Sequence, residues 1–211
     1  MNLSVNDLNS MHLDVLKEIG NIGAGNAATS LAVMIQKKVD MQVPVVKILD
    51  VQDVPMVLGG EENIVAGIYF GMTGEIEGNI MVLLDMPSAR KLTNFMMGGL
   101  SETSCEDDLS QLNDMEKSAL QEIGNILSGS YVSSLASLTN LRVELTTPSL
   151  CVDMAGAILS VPAIQFGTIS DCVLMIENTL FDGHQEMKAN FFLIPDENSF
   201  DVLLQSLGVS G

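Results

Sequence analysis

Lys17–Gly25, KEIGNIGAG, returns as Gln121–Gly129, QEIGNILSG, 104 residues further along the 211-residue chain. Glu18 and Asn21 reappear as Glu122 and Asn125, and each asparagine is followed by 22 residues and a proline, Pro44 or Pro148. Without a gap, 8–44 aligns with 112–148 at 15 identities in 37 positions. A fainter echo joins GNIMVLLDMPSARKL (78–92) to ANFFLIPDENSFDVL (189–203), at an offset of 111. The chain therefore reads as an internal duplication, with repeats of about 8–100 and 112–208 joined by the acidic linker 101–110, SETSCEDDLS.

Each repeat has the pattern of helix, strand, strand pair, helix. Leu8, Met11, Val15 and Ile19, with Leu16, Ile22 and Ala27, recur at three-to-four-residue spacing. That spacing predicts a long helix or a helix pair over 8–36, with Asn6 or Asp7 as N-cap. Gly20, Gly23 and Gly25 are costly there, at about 0.5–1 kcal/mol each against alanine. They imply a break, close packing of the two repeats, or access for a partner. The stretch 38–50 turns β-branched and extended, and Pro44 belongs at a strand edge or end because it lacks a ladder donor. After a turn at 59–63, Val65–Met72 and Gly78–Asp85 predict a hairpin around Thr73–Glu77. Pro87 opens a further helix, Ser88–Met97, stopped by Gly98–Gly99.

A half-molecule with a one-faced sheet has little core of its own. Two halves related by a pseudo-two-fold and sharing one sheet would cover each other's faces and edges. The expected fold is a single α/β domain, 1–211, in which helices pack on the shared sheet.

Composition narrows the function. Hydrophobic residues make up 47% but aromatics only 4%, with no Trp and 14 Met, so the core is aliphatic and padded with methionine. The net charge of −18 repels nucleic acid and anionic membranes over a Debye length of about 8 Å. A solvated acidic surface or a basic protein partner fits it. No apolar run reaches membrane-spanning length and MNLSVNDLNSMHLD lacks a secretion pattern, which points to the cytoplasm. Cys105, Cys151 and Cys172 read as free thiols, and two histidines, His12 and His184, make a histidine-based metal site unexpected.

On a helix, residues i and i+3 stand about 5–6 Å apart on one face, so Glu18 projects with Asn21 and Glu122 with Asn125. Asp14 and Ser118 sit one turn earlier, while Ile19 and Ile22 point elsewhere, into the core. The carboxylate can pair with a cation. The carboxamide can orient a water but is not a strong base. There is no nucleophile elbow, Walker loop, Cys–His pair or cluster of metal carboxylates. If the pair is catalytic, its partner must bring the electrophile. An exposed Glu/Asn pair is ordinarily a solvated face, but duplication at the same spacing to proline argues for more.

The pattern Asp/Ser-x3-Glu-x2-Asn-x22-Pro, as Asp14, Glu18, Asn21, Pro44 and again as Ser118, Glu122, Asn125, Pro148, resembles the CheC/CheX/FliY phosphatase family of bacterial chemotaxis. The two-copy arrangement over essentially the whole chain is most similar to the family's CheC branch. The resemblance implies a pseudo-symmetric α/β domain with two long motif-bearing helices side by side on a mixed, largely antiparallel sheet. It implies hydrolysis of the aspartyl phosphate of the response regulator CheY, and CheD, a receptor-modifying deamidase, as a second partner. It implies no cofactor of the chain's own, with Mg2+ and a lysine supplied by CheY. Asn21 and Asn125 would orient the attacking water, Glu18 and Glu122 would pair with the lysine of CheY, and Pro44 and Pro148 would shape the supporting strands. Tyr131, where the first copy has Ala27, either fills core or limits access to the second site. The competing expectations are a non-enzymatic adaptor that sequesters CheD or docks on a receptor complex, and a small-ligand-binding module.

Overall fold

The computed structural model describes residues 10–98, 112–166, 172–181, 183 and 185–206. The linker 101–110, the cap candidates Asn6 and Asp7, Cys105 and His184 lie outside the described residues. The first half runs α1 (Ser10–Ile35), β1 (Asp40–Met41), β2 (Val45–Asp50), a 3-10 turn into short α2 (Val54–Val57), β3 (Ile64–Gly74), β4 (Gly78–Asp85) and α3 (Met86–Met96). The second half repeats it as α4 (Asp114–Thr139), β5 (Val143–Leu145), β6 (Ser149–Met154), α5 (Ala155–Phe166), β7 (Cys172–Phe181), β8 (Glu186–Pro195) and α6 (Glu197–Ser206).

α1 is one uninterrupted 26-residue helix rather than a pair. α4 has the same length and begins with a capping box, in which Asn113 Oδ1 accepts from Glu116 N and Glu116 Oε2 accepts from Asn113 N, both at 2.9 Å. It ends at Asn140 in the left-handed conformation, φ 57°, and α1 ends at the equivalent Gln36, φ 53°. Pro87 lies in the first turn of α3, capped by Asp85, which accepts from Ser88 N at 2.6 Å.

The α/β fold class is the one expected, but the sheet is not mixed: every strand pairing among the described residues is antiparallel. The central order is β1-β7-β8-β4-β3-β5, with β2 also on β7 and β6 on β3. The halves are therefore interleaved. β2 of the first half pairs with β7 of the second, Val45↔Glu177 to Asp50↔Cys172, and β6 of the second pairs with β3 of the first. The two hairpins meet at β4 and β8, where Met81 faces Phe192. Those two residues are equivalents at the offset of 111 read from the sequence, so the pseudo-two-fold passes between them.

Both faces of the central strands are covered. Ile68, Phe70, Ile80, Val82, Phe191 and Leu193 form one core with Leu16, Ile19, Leu120 and Ile123 of the long helices. Met81, Leu83, Met175 and Phe192 form a second core with Val54 and Leu58 from the α2 segment and Ala155 and Ile158 of α5. This is why β4 is buried without alternation from Asn79 to Leu84. The helices α2 and α5 are not anticipated by the sequence reading. AGAILSVPAIQF is apolar all round and contains Pro162, so it shows no amphipathic stripe to betray a helix.

Candidate functional site

The sheet-facing side of α1 is made by Leu16, Ile19, Ala27 and Leu31, and that of α4 by Leu120, Ile123, Leu127 and Leu135, all buried. With those positions committed to the core, helical spacing turns Glu18 and Asn21 outward, and likewise Glu122 and Asn125; all four are exposed. Ile22 and Ile126 are only half-buried, so the inward assignment holds for Ile19 and Ile123 but not fully for their neighbours.

The neighbouring polar groups differ in one respect. Asp14 is engaged by Lys17 at 3.3 Å, and Ser118 donates to the Asp114 carbonyl at 2.9 Å. Glu18, Asn21, Glu122 and Asn125 have no hydrogen-bond or ion-pair partner among the described residues. The outer face of each helix thus offers one carboxylate and one carboxamide with unspent bonding capacity.

Pro44 is buried directly before β2, and its Cγ lies 3.4 Å from where a β-carbon on Gly20 would stand. Val46 Cγ2 lies 3.0 Å from the same point, so the proline and its strand fill the space under the first motif. Pro148 is half-buried before β6. Gly124, the equivalent of Gly20, rests on Ile68 of β3, with a Cβ-to-Cγ2 approach of 2.8 Å.

Tyr131 does not stand at the rim of the second site. It is 2% exposed, its ring centroid lies 4.7 Å from that of Phe191, and its hydroxyl donates to Asn178 Oδ1. Burial pushes its pKa well up, opposed by the Asn178 hydrogen bond. A β-carbon on Gly23 would come within 2.3 Å of the Tyr131 ring. The residue fills core between the two motif helices, which also touch where Asn26 Nδ2 donates to Ser134 Oγ at 3.4 Å.

Of the thiols, Cys151 is free, and burial followed by the charge of Asp153 raises its pKa, which leaves it a poor nucleophile. Among the described residues no three His, Cys, Asp or Glu side chains converge as a metal site, and no helix is long and apolar enough to cross a membrane. A groove of about 310 Å3 opens at the β3–β4 hairpin, lined by Tyr69, Asn79 and Pro195 among others. It contains no motif residue. The candidate site is a convex helix surface, suited to a macromolecule that brings its own reactive centre.

A relative in Bacillus subtilis, the CheY-P phosphatase CheC, is 33% identical over 209 residues, covering 97% of this chain and 98% of the relative. A model described as the CheC-like family matches residues 11–48 and, 104 residues on, 115–152. The chain belongs to the CheC-like family. The matched stretches of this CheC-like chain are α1 through most of β2 and α4 through most of β6, each holding one Glu-x2-Asn pair. The flagellar motor switch phosphatase FliY of B. subtilis is 28% identical over 144 residues, 68% of this chain and 36% of FliY. The crystal structure of Thermotoga maritima FliY has the same fold, with a TM-score of 0.73 at 22% identity over 95% of this chain and 98% of that one.

The sequence reading treats Gly20, Gly23 and Gly25 together; the structure separates them. The first two are packing positions, whereas a β-carbon on Gly25, or on its equivalent Gly129, would have nothing within 4 Å. No single-sequence signal distinguishes these cases, because the neighbours that do so come from other elements.

Proposed function

We propose that this chain is a phosphatase of the phosphorylated response regulator CheY, working as one domain in the cytoplasm with two sites related by the pseudo-two-fold. The carrying observation is that Glu18 with Asn21, and Glu122 with Asn125, stand exposed and partnerless on outer helix faces while adjacent polar residues are engaged. The functions of the relatives, CheY-P phosphatase and flagellar motor switch phosphatase, support it.

In this reading Asn21 or Asn125 accepts from and donates to a water and holds it in line with the phosphorus. The water oxygen forms a bond to phosphorus as the bond to the aspartyl oxygen breaks. The aspartyl carboxylate leaves, inorganic phosphate forms and the released proton passes to solvent. An acyl phosphate is already activated, so positioning supplies most of what the chain must add. Mg2+ and a lysine belong to CheY. Glu18 and Glu122 pair with that lysine, since a carboxylate beside a phosphate is favourable only with a cation between them. Pro44 and Pro148 act through the strands they begin.

Loss of labelled phosphate from phosphorylated CheY tests this. Asn21→Ala with Asn125→Ala should lower the rate by about a hundredfold or more without changing the melting temperature. A double variant as active as the parent removes the assigned chemistry. Each single variant measures the share of its own site. Glu18→Ala and Glu122→Ala should weaken binding of phosphorylated CheY more than they affect stability. CheD is carried over from the resemblance as a regulator. Adding it should change the rate while leaving the dependence on the two asparagines intact; no change at saturating CheD refutes that part.

A further inference from the structure

Five glycines interrupt the two motif helices, and packing accounts for three of them. A β-carbon on Gly20 would meet Val46 Cγ2 at 3.0 Å, one on Gly23 the Tyr131 ring at 2.3 Å, and one on Gly124 Ile68 Cγ2 at 2.8 Å. Gly25 and Gly129 are different. Both are exposed in mid-helix, and among the described residues a β-carbon on either would have no neighbour within 4 Å. Glycine inside a helix is destabilising relative to alanine, so nothing in this chain's own packing favours leaving these positions bare.

Their placement supplies the reason. Each lies four residues beyond a motif asparagine, on the same outer face, and the two are equivalents at the repeat offset. The next turn also carries short side chains, Thr29 and Ser133, both exposed, and the Thr29 hydroxyl folds back to donate to the Gly25 carbonyl at 2.9 Å.

We propose that Gly25 and Gly129 are clearance positions, which let the surface of the phosphorylated regulator lie against the helix one turn beyond the asparagine. The inference rests on reading the Glu–Asn pairs as phosphatase sites. Asparagine is short, so its amide reaches a water at the phosphorus only if the helix backbone approaches closely. A longer side chain one turn away would hold the two surfaces apart, and a displacement of about 1 Å at a reacting centre costs on the order of a hundredfold in rate.

The test uses the full chain carrying both Gly25→Ala and Gly129→Ala, and separately both Gly25→Gln and Gly129→Gln. Readouts are the unfolding midpoint, steady-state kinetics on phosphorylated CheY, and binding to CheY loaded with Mg2+ and beryllium fluoride. The alanine variant should melt about 2–8 °C higher than the parent. The glutamine variant should melt no lower than the parent, yet lose about tenfold or more in kcat/KM and in binding. Stability and activity thus move in opposite directions. A midpoint that falls in the alanine variant, or a glutamine variant within about twofold of the parent in kcat/KM, overturns the inference. If loss of the asparagines abolishes activity while glutamine at the glycines does not, clearance fails and the phosphatase reading stands. A parent that neither hydrolyses nor binds the phosphorylated regulator overturns both.

Discussion

The motif copies on α1 and α4 present the same outer residues but are built differently beneath them. Glu18 and Asn21 match Glu122 and Asn125 in identity and exposure. Underneath, Gly23 of the first copy receives the ring of Tyr131, while the equivalent positions hold Leu127 and Ala27, both fully buried. At both positions the first copy holds the small residue and the second copy the large one. One turn before the glutamate, Asp14 is bound by Lys17, whereas Ser118 bonds its own helix backbone. At the C-termini Gln36 occupies the left-handed position that Asn140 fills in the second copy. Duplicated halves can diverge wherever a neighbour in the same core compensates. The four motif side chains have no such neighbour among the described residues, and there the copies are identical.

The Gly23–Tyr131 contact should yield the largest effects on this comparison. Tyr131→Ala should cost about 3–5 kcal/mol in chemical denaturation, from lost aromatic burial and the cavity left behind. Gly23→Ala alone should cost about 1–3 kcal/mol, because its β-carbon must displace the ring. In the Tyr131→Ala background the same substitution should instead stabilise by about 0.5–1 kcal/mol. If that sign does not reverse, Gly23 is not held small by the tyrosine.

The tyrosine also separates the copies by pH. Its folded pKa is raised by burial, so its contribution to stability is complete below the unfolded value of about 10 and declines as pH rises beyond that value. The unfolded chain releases the proton first, at a limiting slope of about 1.4 kcal/mol per pH unit. Urea midpoints measured across the alkaline range should fall accordingly, and Tyr131→Phe should flatten most of that limb. Tyr69 and Cys151, whose pKa values burial also raises, contribute to the remainder. An unchanged slope in Tyr131→Phe would assign the alkaline loss to other groups.

Exchanging residues between copies should give the smallest shifts. Gln36→Asn places at the end of α1 the residue that α4 uses, and should gain about 0.5–1 kcal/mol by relieving the left-handed strain. Ser128 is fully buried with an unpartnered hydroxyl, where the first copy has Ala24. Ser128→Ala should therefore gain about 1 kcal/mol. A loss of thermal stability in either exchange would mean that the copies are less interchangeable at these points than their backbones suggest.

Much of the fold was legible because duplication doubles a weak signal. The hairpin, both long helices and α3 follow from periodicity and from proline and glycine punctuation. The offset of 111 marks β4 and β8 as equivalents; that they also pair, with Met81 facing Phe192, is seen only in the structure. The helix α5 was not legible, because an apolar segment with an interior proline has no period to read. The exposure of Glu18, Asn21, Glu122 and Asn125 was legible from the positions of their apolar neighbours. The distinction among the motif glycines was not.

The sequence alone determined the duplication, the helical phase of each Glu–Asn pair and the apolar sides opposite them, because these depend on contacts three to four residues apart. Tertiary structure alone decided that the first strand of each half joins the hairpin of the other, that Tyr131 closes the space above Gly23, and that Gly25 and Gly129 stay uncovered. Strand partners lie up to 141 residues apart in the chain, as Asp40 and Phe181 do. Such proximity is set by mutual burial of whole elements, and no local spacing encodes it.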